Sequence, residues 1–490
     1  MAAPKKTPGV YVSESSAFPN SVVEVPTCVP AFVGYTELAQ IGNTPTRQKP
    51  ARIRSLQEFH HLFGGPPPEQ FSHFAGQDGR PEFKTVAARF YLYYAVRLFF
   101  DNGGGACWIQ SIGDFSSAVR CVDDYGDDTW GPLSKETEPS IYVAPDAVGA
   151  DWAGYKTVTE RMMQECQTLQ DRVALLDLYD GGGGDLSAAI LRFRSDIDLG
   201  DKPSFGVLYA PWLNTTVIED ADVTYMNLDA DSRITLAERV RTTLTEAMGN
   251  PLPDGLVTVI DAITTDPADA ATQRQNDTML RRVSPTYQMW MRALLDAANV
   301  LPPAGAMAGV YAYTDATLGV FRAPANTAVA SVMSPTVPIT DHDQNNMNTP
   351  LNGKAVNAIR SFKDRGVLVW GARTLDGNSQ DYRYISVRRT LIMLEQSMQA
   401  AIQGFVYSPN NVGTWTMLKN LLDSFLKDQW NAGALSGAVA EEAYSVSVGL
   451  GSTMTPDDIP ERDMRIDVQV ALSSPAEFFT ITFQQKMQVA

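Results

Sequence analysis

LNGKAVNAIRSFKDRGVLVWGARTLDGNSQDYRYISVRRTLIMLEQSMQAAIQGFVYSP, residues 351–409, is the most informative stretch of the chain. It opens with Val356, Ile359 and Phe362 at helical spacing, which predicts a short helix. Arg365-Gly366 punctuates, and residues 367–370 predict a buried strand closed by Gly371. After a polar turn at Asp376-Gly377-Asn378 comes the strongest helical pattern of the sequence. Val387, Leu391, Leu394, Met398, Ile402 and Phe405 recur at the spacing of one helix face. Arg388, Arg389 and Glu395 fall off that seam, as expected of an amphipathic core helix. The stretch holds no nucleophile, base or metal-ligand pair, so it reads as scaffold.

Upstream, residues 140–213 carry a βαβ rhythm. Strands are predicted at 141–146, 173–180 and 205–213, with helices at 156–169 and 187–193. Apolar strands alternating with amphipathic helices imply an α/β layer with a largely parallel sheet. Asp146, Asp177 and Asp180 stand at strand ends, where such a sheet could host acid–base chemistry. No histidine lies near them in sequence, and no nucleophile elbow or dinucleotide fingerprint accompanies them. An enzyme using these aspartates is the alternative from another class; structural aspartates at turns are the simpler reading.

Elsewhere, residues 21–36 read as a proline-broken linker running into a first core strand. Residues 54–65 read as a helix capped by Ser55 and stopped by Gly64. Residues 66–81 read as a polar loop, and 87–100 as an apolar helix ended by Asn102-Gly103-Gly104-Gly105. That glycine run follows a helix and precedes a strand, the reverse of a phosphate cradle. Residues 214–255 are polar and acidic with a helix at 236–248, residues 256–261 are strand-like, and 286–298 are helical with Met289, Trp290, Ala293 and Leu294 inward. Residues 301–350 read as loop-rich. A second amphipathic helix spans 414–430, with Lys419, Asp423 and Lys427 on its outer face. Strands follow at 442–450, 467–472 and 477–484. The last has Phe479, Ile481 and Phe483 on one face and Thr480 and Thr482 on the other.

At 490 residues the chain exceeds one compact core, so two or more domains are expected. A net charge of −17 argues against a nucleic-acid coat, and for solubility or a basic partner surface. Cys28, Cys107, Cys121 and Cys166 lack zinc or disulfide spacing and read as small buried hydrophobes. His60 and His61, with His73 nearby, invite a metal reading, but adjacent histidines on a helix diverge and no carboxylate or cysteine sits at ligand spacing, and Asp341-His342-Asp343 lacks a loop pattern that binds cations. No cofactor or metal is expected, nor a signal peptide or membrane span.

The wording resembles the contractile tail-sheath family of phages, tailocins and extracellular contractile injection systems. The resemblance rests on LPPAGAMAGVYAYTDATLGVFRAPAN (301–326), LNGKAVNAIR (351–360), VLVWGARTL (367–375), YRYISVRRT (382–390), FFDNGGG (99–105) and PGVYV near the start. It covers nearly the whole chain and is weakest over 214–277. The opening, APKKTPGVYVSESSAFPNSVVEVPTCVPAFVGYTE (3–37), looks closest to sheaths of the antifeeding-prophage and Photorhabdus-virulence-cassette kind; a phage or tailocin sheath is the alternative within the family.

The resemblance implies an α/β (α+β overall) chain with no enzymatic activity. An arm and linker at 1–30 would join the inner domain, an outer α/β domain would span 31–345, and an inner C-terminal sheath domain would span 346–490. Terminal β arms would be exchanged between subunits: Pro8, Gly9, Val10, Tyr11 and Val12 at one end, and Glu477, Phe478, Phe479, Thr480, Ile481, Thr482 and Phe483 at the other. Both segments are short and β-prone, and such segments gain most by adding to an open sheet edge. Lys419 and Lys427 would face the central tube. Implied partners are further copies in stacked hexameric rings, an inner tube protein, baseplate and terminal cap proteins, and sheath paralogues, with no nucleic acid and no membrane insertion. Assembly is expected in the bacterial cytoplasm, within a phage tail-like particle.

Overall fold

The computed structural model describes residues 21–38, 40–41, 44–45, 49–76, 80–86, 89–116 and 121–478. They fall into two compact units. One is Pro26–Arg389 with the described residues from Ser474 onward; the other is Thr390–Ser473 with the described residues up to Val25.

The larger unit is built on an eight-stranded sheet. Its order is Gly366–Val369, Asn357–Phe362, Gly206–Ala210, Val173–Asp177, Ile141–Val143, Pro30–Tyr35, Cys107–Gly113 and Ala51–Ile53. The inner six run parallel, and an antiparallel strand closes each edge. Every residue of Pro30–Tyr35, Val173–Asp177 and Gly206–Ala210 is buried. Strands covered on both faces read as continuous apolar runs, so the predicted βαβ layer stands. Helices Trp152–Leu169 and Leu186–Asp196 occupy the expected connections, each capped by an aspartate, Asp151 or Asp185. Leu56–Phe63 is capped by Ser55 and stopped by Gly64 at a φ of 86°.

Five expectations are corrected. Residues 356–362 do not form a helix: Asn357–Phe362 is a strand, antiparallel to Gly366–Val369 and parallel to Gly206–Ala210. The Asn357 side chain binds the Leu208 and Arg373 carbonyls and the Arg373 N–H, so tertiary contacts override the helical spacing. Residues 256–261 are not a strand but part of the helix Asp254–Asp261, which buries Leu256, Val259 and Ile260 on one side. The loop predicted at 66–81 contains a strand, Phe71–Ala75, paired in a hairpin with Pro81–Thr85. On the helix Pro285–Ala298, Trp290 and Leu294 are buried as expected, whereas Met289 is exposed.

The fifth correction is the largest. Residues 301–350 are not mainly loop, because Ala304–Leu318 is a helix, preceded by Pro302-Pro303. Its residues Ala304–Tyr311 are all buried, so no single apolar stripe marks it as helical. Gly305 and Gly309, one turn apart, let it approach the helix Leu92–Asp101. A Cβ on Gly305 would lie within 2.7 Å of three backbone atoms of Ala95, and one on Gly309 2.5 Å from the Phe99 carbonyl oxygen.

These two glycines set the sign of a simple substitution. Helix propensity alone would make Gly305→Ala or Gly309→Ala stabilising by about 1 kcal/mol. The backbone overlap instead predicts a net loss of about 1–3 kcal/mol for each, read as a lower denaturant midpoint of the isolated subunit. A raised midpoint would show that the helices can separate without cost.

Candidate functional site

Two of the three strand-end aspartates, Asp146 and Asp177, are structural supports. Asp146 lies in the turn after Ile141–Val143 and is 0 % exposed. Its carboxylate accepts from the backbone N–H groups of Tyr35 (2.6 Å), Leu92 (2.9 Å) and Tyr91. Gly34 leaves the room it needs, because a Cβ there would strike the Asp146 carboxylate. Burial pushes its pKa up to about 6, although the three N–H groups pull the other way. Asp177 accepts from Ala304 N–H at 2.7 Å, holding the first turn of the helix Ala304–Leu318. Burial, opposed by that one hydrogen bond, carries its pKa up to about 7. Asp180 sits in the following loop with a φ of 55°.

The histidine and cysteine positions are equally occupied. His60 stacks on Tyr93 with its Nε2 3.0 Å from the Tyr93 hydroxyl, and His73 stacks on Trp290 at 4.3 Å. Asp343 closes a capping box with Thr340. Among the described residues no three His, Cys, Asp or Glu side chains gather as metal ligands. Cys107 and Cys166 are buried thiols whose pKa values burial raises.

The smaller unit has a different character. Helix Ile385–Gln403, whose residues from Thr390 belong here, and helix Val412–Ala432 enclose Ala401, Phe405, Leu418 and Leu421. Val22, Met464 and Ile466 pack onto that cluster. Val25 N–H donates to Ser397 Oγ at 3.0 Å, and Gln429 donates to Glu24, so the incoming N-terminal segment lies along these helices. Lys419 and Lys427 are exposed on Val412–Ala432, while Leu418, Leu422, Phe425 and Leu426 are buried, as the spacing predicted.

Strands Tyr444–Val448 and Ile466–Val470 pair antiparallel, Tyr444 opposite Val470 and Val448 opposite Ile466. They form a sheet of two strands. Among the described residues no third strand pairs with either, so both outer edges present backbone N–H and C=O groups. A sheet this narrow is marginal alone and invites further strands.

The terminal segments are rooted in the larger unit by arginines. Thr27 donates its hydroxyl to Asp315 at 2.5 Å, and its carbonyl accepts from Arg389 Nη2 at 3.0 Å. Arg389 also grips both Asp315 oxygens, at 3.1 and 2.5 Å. At the other end, Glu477 is bound by Arg373, Asn348 and Tyr384. Residues 473–478 form no strand, and Phe478 is exposed. Pro8, Gly9, Val10, Tyr11 and Val12, and Phe479, Thr480, Ile481, Thr482 and Phe483, lie outside the described residues.

The arginines were the functional signal that periodicity missed. Arg388 and Arg389 both lie buried; the Arg388 guanidinium stacks 3.8 Å from the Tyr382 ring and donates to Ser204 Oγ at 2.8 Å. Neighbouring helix positions lie about 100° apart and could both face water, so spacing alone gave no sign that Arg388 and Arg389 are buried.

Residues 378–486 match the phage tail sheath C-terminal domain family. A Pseudomonas aeruginosa (strain UCBPP-PA14) chain described as a prophage major tail sheath protein is 28 % identical over 158 residues, 31 % of this chain and 39 % of that relative's length. Among solved structures, the helical sheath of the anti-feeding prophage in its contracted state is 26 % identical, with a TM-score of 0.62 over 98 % of this chain and 100 % of that one. A chain of the six-fold symmetrised anti-feeding prophage baseplate is 25 % identical, with a TM-score of 0.62 over 99 % and 100 %. The sheath complex of the contracted PVC extracellular injection system shares the fold at 23 % identity, with a TM-score of 0.60 over 99 % of both chains.

Asp177 yields a pH test. Its folded pKa lies above that of the unfolded carboxyl, so its contribution to stability is full below about pH 4 and is lost as pH rises through about 7. Asp177→Asn keeps an oxygen for Ala304 N–H and removes the charge. The melting temperature of the variant relative to the native chain should therefore climb by a few degrees between pH 5 and pH 8. A difference that stays constant across that range would contradict a buried ionising carboxyl.

Proposed function

We infer that this chain, a member of the contractile tail-sheath family, is the repeating structural subunit of a contractile sheath in a phage tail-like particle. The observation that carries this is likeness over essentially the whole chain to a contracted anti-feeding prophage sheath, together with a C-terminal tail-sheath domain. The same whole-chain likeness favours an injection system. A phage or tailocin tail is the second reading, favoured by the prophage relative, which aligns with only 31 % of this chain. The relatives are structural proteins. Against the aspartate enzyme stands Asp146, which is fully buried with its carboxylate taken up by three backbone N–H groups.

The finer reading is that subunits stack as sixfold rings around an inner tube, between a baseplate and a terminal cap, and are assembled in the cytoplasm. The two-stranded hairpin would receive strands from neighbours, one from residues 8–12 of one copy and one from the C-terminal arm of another. Each added backbone hydrogen bond contributes about 1 kcal/mol net. Donation from one copy's end to another's hairpin is a head-to-tail contact, which generates rings or helices and not closed dimers. A subunit held by several such links stays in the lattice while its other contacts exchange. Contraction would then be the relaxation of a metastable packing, driving the tube through a target membrane with no nucleotide spent by the sheath. Lys419 and Lys427 would face the tube.

Two experiments test this. Deleting residues 1–14 should leave a soluble subunit with an unchanged melting temperature that no longer forms long hollow cylinders by negative-stain microscopy; normal cylinders would remove N-terminal strand donation. Lys419→Glu with Lys427→Glu should weaken co-assembly with the tube protein without altering circular dichroism. Co-assembly at the native level would place the tube contact elsewhere.

A further inference from the structure

Glu477 is bound on both carboxylate oxygens. One accepts from Asn348 Nδ2 at 2.7 Å and Arg373 Nε at 3.1 Å; the other accepts from Arg373 Nη2 at 2.5 Å and the Tyr384 hydroxyl at 3.0 Å. The arginine is thus bidentate, the strongest and most directional form of this pairing. It is also immobilised. Its side chain is 4 % exposed, and its Nη1 donates to the Asn348 carbonyl at 3.0 Å. Its backbone N–H and carbonyl are both bound by the Asn357 side chain, at 2.7 and 2.8 Å. Asn357 lies on a strand of the main sheet and reaches the Leu208 carbonyl of the neighbouring strand. A continuous set of hydrogen bonds therefore runs from the sheet to the carboxylate of a residue one position before the end of the described chain.

We propose that the Arg373–Glu477 clasp is the fixed point from which the C-terminal arm leaves the subunit, so that the arm's register on a neighbouring copy is counted from Phe478. This rests on the reading of that segment as a donated strand. The arm alternates, with Phe479, Ile481 and Phe483 on one face and Thr480 and Thr482 on the other. A slip of one residue would turn every phenylalanine to the opposite side of the recipient sheet. Without the clasp, residues 474–477 would add slack of roughly 13 Å, about four residues of extended chain, ample for such a slip. A weak exposed ion pair would not serve; a bidentate one on a buried arginine does.

The experiment compares five variants of the full chain in cells that produce the whole particle, scoring ordered sheath by electron microscopy and the melting temperature of each isolated subunit. Truncation after Phe478 should abolish ordered sheath. Native yield from that truncation would overturn C-terminal strand donation itself. One residue inserted between Ser474 and Pro475, before the clasp, should leave sheath yield at the native level. One residue inserted between Phe478 and Phe479, after it, should lower yield about ten-fold or more by reversing the faces of the arm. Glu477→Gln removes the charge that faces a buried arginine and should lower the melting temperature, and it should lower sheath yield well below that of Gly305→Ala, a destabilised control remote from the arm, which a merely stabilising contact would not do. Equal yields from the two insertions, or native yield from E477Q, would overturn the clasp as the register mark even where the truncation confirms the arm.

Discussion

Arg389 brings a full positive charge into the interior of the larger unit, where Asp315, the Thr27 carbonyl and the face of the Tyr311 ring, 4.8 Å away, make that tolerable. The pair joins three parts distant in sequence: the entering chain just before the first sheet strand, the buried helix Ala304–Leu318, and the start of the long helix Ile385–Gln403. Burial disfavours the charged guanidinium, but Asp315 more than compensates and its pKa is raised further. A buried ion pair of this kind adds little net stability compared with apolar packing. Removing one partner, however, strands the other charge at a cost of about 3–5 kcal/mol. Its physical effect is selection: few arrangements of the three segments leave both charges matched. Thr27 stands just before the first strand, Pro30–Tyr35, so the pair holds the chain where it enters the sheet.

The same device recurs where the chain leaves. An arginine buried in the body holds a residue of a terminal segment, at Thr27 on one side and Glu477 on the other. A sheath subunit needs interior rigidity and exterior generosity together. The large parallel sheet, with an antiparallel strand at each edge, supplies the first. The two-stranded sheet, which has no third strand among the described residues, is suited to the second. An unpaired sheet edge would be an aggregation hazard on a free protein. A net charge of −17 opposes such unplanned pairing through a repulsion screened within about 8 Å at physiological salt.

Much of this was legible in the residues. Strands covered on both faces announced themselves as unbroken apolar runs around Val173 and Val207, and the two long amphipathic helices by their spacing. Ser55 with Gly64 marked one helix end to end. Local physics suffices where one face or one cap decides the outcome. It failed at Ala304–Leu318, which is apolar on every side and carries glycines for close approach, and at Asn357–Phe362, whose side-chain amide is satisfied only by a neighbouring strand. In both places the signal that decides conformation lies in the partner.

By itself, then, the sequence determined a mixed α/β protein with a parallel layer, an acidic surface, no paired catalytic groups, and β-prone ends that resemble those of sheath subunits. Those properties follow from composition and near-neighbour spacing, which a chain carries before it folds. The tertiary structure alone decided that Asp146 and Asp177 brace backbone amides, that Arg373 and Arg389 point inward to hold Glu477 and Thr27, and that the sheet of Tyr444–Val448 and Ile466–Val470 has no third strand among the described residues. Each of these depends on which distant segment arrives to share a charge or a hydrogen bond, and no periodicity along the chain encodes that.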